Sequence, residues 1–220
     1  MKTIQSSLHH RVIPPRNSAL EKHPTIIMLH GRGADEEDLP GLADYLDDRM
    51  LVISPRAPYP FSFGGGYMWY EFNGVGSPDP TMFRTSHDKL QTFVSDCLAQ
   101  YPIDPKRLYL LGFSMGTVMS HALALTQPEL FRGVIANSGY VAEGTMLTYH
   151  WDKLGHMDVF VAHGTQDPVI PIQFGRRTHE LYAGSLARLT YNEYPIGHQI
   201  SQEELDDMAR WLSQSLTQTP

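Results

Sequence analysis

A serine stands between two glycines at the point where an apolar, strand-like run changes into a helical pattern. The run RLYLLGF at 107–113 leads into GFSMG at 112–116, and MGTVMSHALALTQ continues from there. A turn this tight leaves no room for a Cβ two residues before or after the serine, because it would collide with the neighbouring strand or helix. The stretch therefore predicts a buried strand, a sharp turn that exposes the hydroxyl of Ser114, and a helix.

Five further apolar runs are typical of strands in a parallel sheet that is covered on both faces. With the strand before Ser114, these runs lie at 25–31, 50–55, 107–113, 133–138, 158–164 and 187–194. Helical patterns lie at 35–48, about 84–101, 115–127, 172–185 and 201–216. The alternation predicts an α/β fold with a mostly parallel central sheet and helices on both faces. The alternating segment 1–15 predicts a short hairpin at one edge.

We expect one domain over 1–220, because the chain is shorter than the roughly 250–300 residues at which a single core stops growing and no linker or repeat divides it. About 18 residues, 139–156, separate the strands at 133–138 and 158–164. That connection is too short for a large lid domain.

The charge of the chain excludes nucleic acid as an expected partner. The formal net charge is -7, whereas nucleic-acid binding depends on Lys and Arg that neutralise phosphates. The sequence has no apolar run of membrane-spanning length and no signal-peptide core. Its single cysteine, Cys97, allows no internal disulfide. We expect a cytoplasmic protein without a stable membrane anchor.

A serine hydroxyl needs a base to take its proton, and at a turn of this kind the chain order is Ser, Asp or Glu, then His. Two histidines lie late in the chain and near a strand, His179 and His198. His179 falls inside a helical pattern, whereas His198 lies in the loop YPIGHQIS after the last strand. Loops at the carboxyl ends of parallel strands hold the ligands of open α/β sheets. The sequence therefore predicts His198 as the base.

The acid that orients this histidine is predicted to be Asp167. Among the acidic residues between Ser114 and His198, it alone directly follows a strand within a turn, in VFVAHGTQDPVIP. Its side chain is expected to reach His198 from the neighbouring strand end. The alternative interpretation is an Asp-Pro turn former.

Two backbone N–H groups are predicted to bind the oxyanion that an attacked carbonyl would form. Met115 N–H lies at the start of a helix, where free N–H groups and the positive end of the dipole face an anion. Arg32 N–H lies in the glycine-rich turn of MLHGRGADEEDL, after a strand. The acidic cluster at 35–38 predicts the first turn of a helix rather than a metal site.

Apolar side chains near these groups are predicted to hold an acyl chain. They lie on the loop after the strand at 50–55 and beside the acid, and they are Phe61, Phe63, Tyr67, Trp69, Tyr70, Val169 and Ile170. The alternative for each is ordinary packing.

Five motifs, in this order along nearly the whole chain, resemble the carboxylesterase/phospholipase family of α/β-hydrolases, which includes acyl-protein thioesterases. They are LHGRGADEEDL, PRAPYPFSFGGGYMWYE, GFSMG, HGTQDPVIP and GHQIS. The resemblance implies an α/β-hydrolase fold, a triad of Ser114, Asp167 and His198, and oxyanion donors at Arg32 and Met115. Many relatives carry Gln after the nucleophile and an aliphatic residue at the position of Arg32. The extension NGVGSPDPTMF at 73–83 also departs from the pattern.

These features predict a serine carboxylesterase that acts on small-molecule esters with short to medium acyl chains, without a metal or organic cofactor. A lysophospholipase or an acyl-thioesterase of the same family is the alternative. Two other classes stay open: a serine peptidase, and a non-catalytic ligand-binding protein on the hydrolase fold. A weak homodimer is implied by the family resemblance alone.

Overall fold

The computed structural model describes residues 3–218, which form a seven-stranded sheet and a two-stranded hairpin. The strands are β1 (His10–Ile13), β2 (His23–Leu29), β3 (Leu51–Pro55), β4 (Tyr59–Pro60), β5 (Tyr67–Met68), β6 (Ile103–Phe113), β7 (Gly133–Asn137), β8 (Asp158–Gly164) and β9 (Arg188–Tyr194). The order in the large sheet is β1-β3-β2-β6-β7-β8-β9. Only β1 runs antiparallel to its neighbour among these strands. β4 and β5 form the hairpin.

Residues 3–218 also form four α-helices and three short 3₁₀ helices, and the last α-helix follows the last strand. They are α1 (Pro80–Gln100), α2 (Met115–Thr126), α3 (Ile172–Ala183), α4 (Gln202–Thr217), and the 3₁₀ helices Leu39–Tyr45, Pro128–Leu130 and Trp151–Lys153. Side chains fix the starts of α1 and α4. The Asp79 carboxylate accepts from Met82 N at 2.8 Å, and the Ser201 hydroxyl accepts from Glu204 N at 3.1 Å. Each bond satisfies one of the free N–H groups of a first turn.

Two apolar layers cover the sheet, one on each face. Along β2, Ile27 and Leu29 join the layer formed with α1, α2 and α3, whereas Ile26 and Met28 join the layer formed with α4 and the first 3₁₀ helix. Strand side chains alternate between faces, so the stretch 26–29 of β2, which is buried on both sides, is apolar at every position. The predicted α/β fold with helices on both faces is confirmed.

Two local predictions were wrong. The helix expected at 35–48 is a 3₁₀ helix at Leu39–Tyr45, because the acidic stretch before it folds as a turn, with Asp38 N donating to Asp35 O. Glu36 then pairs with Arg56 and is not part of a first helical turn. Where a hairpin was expected at 1–15, the described part, residues 3–15, supplies one strand, β1, which pairs with β3.

The connection at 139–156 carries one 3₁₀ helix and no large lid domain. No helix within residues 3–218 combines the length and the apolar character that crossing a membrane requires.

Candidate active site

Ser114 lies at the turn between β6 and α2 with a backbone φ of 55°. This left-handed conformation costs a non-glycine residue about 1–3 kcal/mol, so the surroundings must enforce it. A Cβ at Gly116 would overlap the carbonyl of Leu29, and one at Gly112 would overlap the first turn of α2. Ser114 N donates to Asn137 O at the end of β7 at 3.0 Å. The turn is therefore held against two neighbouring strands.

Three side chains from separate strand ends form one hydrogen-bonded chain. The Ser114 hydroxyl donates to His198 Nε2 at 2.8 Å, and His198 Nδ1–H donates to Asp167 at 2.7 Å. They follow β6, β9 and β8 respectively. The Phe113 ring packs against the imidazole, with 5.0 Å between ring centroids. The Asp167 acceptor places the imidazole proton on Nδ1 and leaves Nε2 free to accept from the serine.

The loop after β8 holds the Asp167 carboxylate from several sides. Its Oδ1 accepts from Val169 N at 2.8 Å and from Ile170 N at 2.9 Å, while Oδ2 faces His198. His163 Nε2–H donates to Ile170 O at 2.8 Å. Burial lowers the pKa of His163, which keeps this second histidine uncharged. The loop therefore presents its carboxylate to the imidazole in one orientation.

Two backbone N–H groups beside Ser114 have no acceptor within residues 3–218. They belong to Arg32 and Met115, and Met115 N is the first of α2. The turn that carries Arg32 is tied to β5, because Gly33 N donates to Tyr67 O at 2.8 Å. Free N–H groups held in place are suited to a developing negative charge.

His30 braces the same turn from inside the protein. Its Nδ1–H donates to Gly31 O at 2.7 Å, its Nε2 accepts from Ala57 N at 3.0 Å, and its carbonyl accepts from Trp69 Nε1–H at 2.9 Å. Burial lowers the pKa of His30, consistent with a neutral ring that donates on one side and accepts on the other. The glycine-rich turn is thus fixed by side chains that do not face Ser114.

A cavity of about 140 Å³ opens beside the Ser114 hydroxyl. Its wall is mainly apolar and aromatic, and it is lined by Arg32, Tyr70, Phe72, Val75, Ser114, Met115, Val118, Tyr140, Val169 and Ile170. Its volume is below the roughly 300–1,000 Å³ of sites for drug-sized ligands, so it suits a small group.

Of the seven side chains predicted to form an acyl pocket, Tyr70, Val169 and Ile170 line this cavity. The other four lie elsewhere. Trp69 is fully buried in the core, and Phe63 is 80% exposed at the tip of the β4–β5 hairpin. The hydroxyl of Tyr67 accepts from Arg56 at 3.1 Å, and Phe61 packs under the Arg32 guanidinium. None of these four lines the cavity beside Ser114.

Four lining residues were missed from the sequence. Val118 lies one helical turn after Ser114, a spacing that could have identified it. Phe72 and Val75 belong to the loop before α1, and Tyr140 follows β7. Nothing in their local pattern distinguishes them from packing residues. His163 was also missed, although it lies at a strand end four residues before Asp167.

Residues 3–218 contain no group of three or more His, Cys, Asp or Glu side chains placed to hold a metal ion. The fold, with a serine at a tight strand-to-helix turn facing a histidine and an acid from later strand ends, defines the chain as an α/β-hydrolase.

A family model described as Phospholipase/Carboxylesterase matches residues 9–216. The chain belongs to that family and is, by membership, a hydrolase.

Curated relatives and solved structures agree with this assignment. The chain is 28% identical over 218 residues to acyl-protein thioesterase 1 of Candida albicans, covering 90% of this chain and 94% of that one. Esterase PE8 superposes with a TM-score of 0.79 at 26% identity, over 94% of this chain and 98% of the other. The Bacillus cereus carboxylesterase shares the fold, with a TM-score of 0.83 at 21% identity over 94% of each chain.

Proposed function

We propose that the protein is a serine carboxylesterase that hydrolyses esters with short to medium acyl chains. The observation that carries the proposal is the hydrogen-bonded chain from Ser114 through His198 to Asp167. Its serine end lies beside two backbone N–H groups that have no acceptor within residues 3–218. An activated hydroxyl next to free N–H donors matches the requirements of acyl transfer.

In the first half of the proposed reaction, Ser114 Oγ attacks the ester carbonyl carbon while His198 Nε2 takes its proton. The N–H groups of Arg32 and Met115 stabilise the oxyanion, and Asp167 stabilises the imidazolium. The bond from carbon to the alcohol oxygen then breaks. His198 returns the proton to the leaving alcohol, and an acyl-enzyme remains.

In the second half, a water molecule attacks the acyl carbon and gives a proton to His198. The bond to Ser114 Oγ breaks, the serine recovers its proton, and the carboxylic acid leaves. Side chains, backbone N–H groups and water supply every step.

The cavity supports the proposed preference for short to medium acyl chains. Its volume of about 140 Å³ and its apolar lining favour a small apolar group, since each buried CH₂ contributes about 0.8 kcal/mol. Longer chains would extend past Val169, which is 54% exposed, and would remain largely in water.

An acyl-thioesterase is the second candidate, because acyl-protein thioesterase 1 of Candida albicans is similar over nearly its full length. The same serine, histidine and N–H groups would cleave a thioester, with a thiol in place of the alcohol as leaving group. A lysophospholipase is the third candidate, because the description of the family names phospholipases beside carboxylesterases.

The test uses p-nitrophenyl esters from acetate to palmitate, a thioester of matched acyl length, and a fluorophosphonate serine probe. We expect ester hydrolysis that peaks at one short or medium chain length, with the probe attached to Ser114 by mass spectrometry. The Ser114→Ala variant should neither turn over nor be labelled.

Other results would change the assignment. Faster turnover of the thioester than of the matched ester would favour the thioesterase. Amide hydrolysis at a rate comparable to ester hydrolysis would favour a peptidase. If wild-type protein is neither labelled nor active, the proposal is wrong and a ligand-binding role takes its place.

A further inference from the structure

The cavity beside Ser114 has one charged side chain in the wall that the described residues form, and it is Arg32. The remaining wall is made by aliphatic, aromatic and hydroxyl-bearing groups. A cation in a small, mainly apolar cavity has an electrostatic effect less weakened by solvent than one on an open surface.

Two aromatic rings hold the Arg32 guanidinium in place. Its central carbon lies 4.5 Å from the centroid of Phe61 and 4.8 Å from the centroid of Phe72. Stacking on ring faces is favourable for a guanidinium. It also leaves the N–H groups at the edge of the guanidinium plane uncovered. The Arg32 side chain is 34% exposed, so a ligand can reach it.

Among the described residues, those N–H groups make one long ion pair and no hydrogen bond. No hydrogen bond from the Arg32 side chain exists within residues 3–218, and the carboxylate within 4 Å, Glu71, has its Oε2 3.5 Å from Nη2. That distance exceeds the 2.7–2.9 Å of a charge-assisted N–H···O bond. Glu71 is itself 48% exposed, so water weakens the attraction further.

The Arg32 guanidinium is suited to binding a planar or tetrahedral anion, because it is fixed in position, exposed at its edge and free of hydrogen bonds within residues 3–218. Carboxylate and phosphate groups accept two parallel N–H bonds from arginine, which adds geometric selection to charge attraction. An uncharged ester would leave these donors unused.

We propose that Arg32 is a specificity-determining residue that binds an anionic group, carboxylate or phosphate, on the ester or thioester substrate. The proposal rests on the proposed function. The backbone N–H assigned to the oxyanion belongs to the same residue, so the anionic group lies within the reach of one arginine side chain from the reacting carbonyl. The preferred substrates therefore carry their charge a few bonds from the scissile ester.

Two matched substrate pairs distinguish where the charge lies. Monoethyl glutarate against ethyl pentanoate places a carboxylate on the acyl side, and 1-butyrylglycerol 3-phosphate against 1-butyrylglycerol places a phosphate on the leaving-group side. Acid release at constant pH gives kcat/KM for each ester. The measured quantity is the ratio of anionic to neutral kcat/KM on one enzyme preparation, so any loss of folded enzyme cancels.

The wild type should prefer the anionic member of at least one pair. Arg32→Met keeps the side chain's length and apolar packing but removes the charge, and it should lower that ratio by about 10- to 100-fold, the worth of hydrogen bonds to a charged group. Arg32→Lys should retain part of the preference, because it keeps the charge and loses the paired donors. Glu71→Gln, the matched control of opposite charge, should raise the ratio.

An unchanged ratio in Arg32→Met for both pairs would overturn this inference while leaving the esterase proposal intact, provided that the neutral esters are hydrolysed. If all four esters are inert and Ser114 is not labelled by the fluorophosphonate, the proposed function itself fails, and this inference fails with it.

Discussion

Two buried carboxyl groups lie on either side of His198 in the chain. Asp167 belongs to the loop after β8, and Glu204 belongs to the first turn of α4. The Asp167 carboxylate accepts from two backbone N–H groups and from His198. Neither side-chain oxygen of Glu204 has a partner among the described residues. Burial raises the pKa of Glu204 to about 8.

The difference shows what a buried carboxyl group needs in order to act as an anion. N–H donors replace the water that the Asp167 carboxylate loses on burial, and its proposed role toward His198 depends on them. At Glu204 burial outweighs the opposing effect of the Ser201 backbone and raises the pKa to about 8, so at neutral pH the side chain is mainly protonated and uncharged. Equal burial therefore produces a charge partner in one loop and a neutral packing group in the other.

The largest predicted effect is the loss of kcat when either Ser114 or His198 is removed from the hydrogen-bonded chain with Asp167. Replacing Ser114 or His198 by Ala should lower kcat on p-nitrophenyl butyrate by about 10⁶, as in other hydrolases of this type. His179→Ala is the matched control, because this histidine stacks on Tyr191 with 4.6 Å between ring centroids and lies on α3. Comparable losses in His179→Ala and His198→Ala would contradict the assignment.

Replacing each of the two carboxyl groups by an amide should have very different effects on kcat. Asp167→Asn should lower kcat by about 10⁴, because the amide favours the wrong imidazole tautomer and cannot stabilise the imidazolium. Glu204→Gln should change kcat by less than about twofold, since it replaces a neutral acid by a neutral amide. Similar losses in both variants, measured at pH 7 with the same ester, would show that Glu204 also acts on the reaction.

Glu204 should instead affect how stability depends on pH. Its pKa rises from 4.5 to about 8 on folding, so the folded state binds more protons between these values and stability falls as pH increases through that window. At about 1.4 kcal/mol per unit of pKa, the loss is on the order of 5 kcal/mol and is complete above pH 8.

Urea denaturation at pH 5 and pH 9 tests this expectation. The free energy of unfolding should fall more steeply with pH in the wild type than in Glu204→Gln, which has no proton to lose there. Parallel pH profiles for the two proteins would mean that Glu204 is already charged at pH 5 in the folded protein.

The smallest predicted loss of activity around Asp167 belongs to His163, which holds the Asp167 loop through Ile170 O. His163→Leu removes one hydrogen bond of about 1 kcal/mol and should lower kcat by roughly tenfold or less through misplacement of Asp167. His163→Gln keeps an N–H donor and should lose less. Labelling of Ser114 with a fluorophosphonate at stoichiometric excess counts intact sites, so that lost kcat can be separated from lost folded protein.

Much of the sheet could be predicted from the sequence, because a strand buried on both faces needs an unbroken apolar run. β3, β7, β8 and β9 lie within the predicted runs, whereas β2 and β6 begin before theirs, at His23 and Ile103. β9 is an exception to this reason, because most of its residues are only half-buried. The 3₁₀ helix at Leu39–Tyr45 could not be predicted in this way. The helical spacing at 35–48 does not reveal that Asp35 takes part in a turn or that Glu36 pairs with Arg56.

The turn at Ser114 and the order of Ser114, Asp167 and His198 were determined by the sequence alone. The motif itself carries this information: Gly112 is demanded by the first turn of α2 and Gly116 by the close approach of β2 at Leu29, and parallel strands bring their carboxyl ends to one edge wherever the chain supplies them.

The walls of the cavity were decided only by the tertiary structure. Tyr140, Phe72 and Arg32 reach it from three distant segments, and which side chains face Ser114 depends on how the β4–β5 hairpin and the loop before α1 fold against the sheet. Side-chain direction there comes from packing between segments remote in the chain. The position of the Arg32 guanidinium beside Ser114 is therefore visible only in the folded protein, and no sequence motif predicts it.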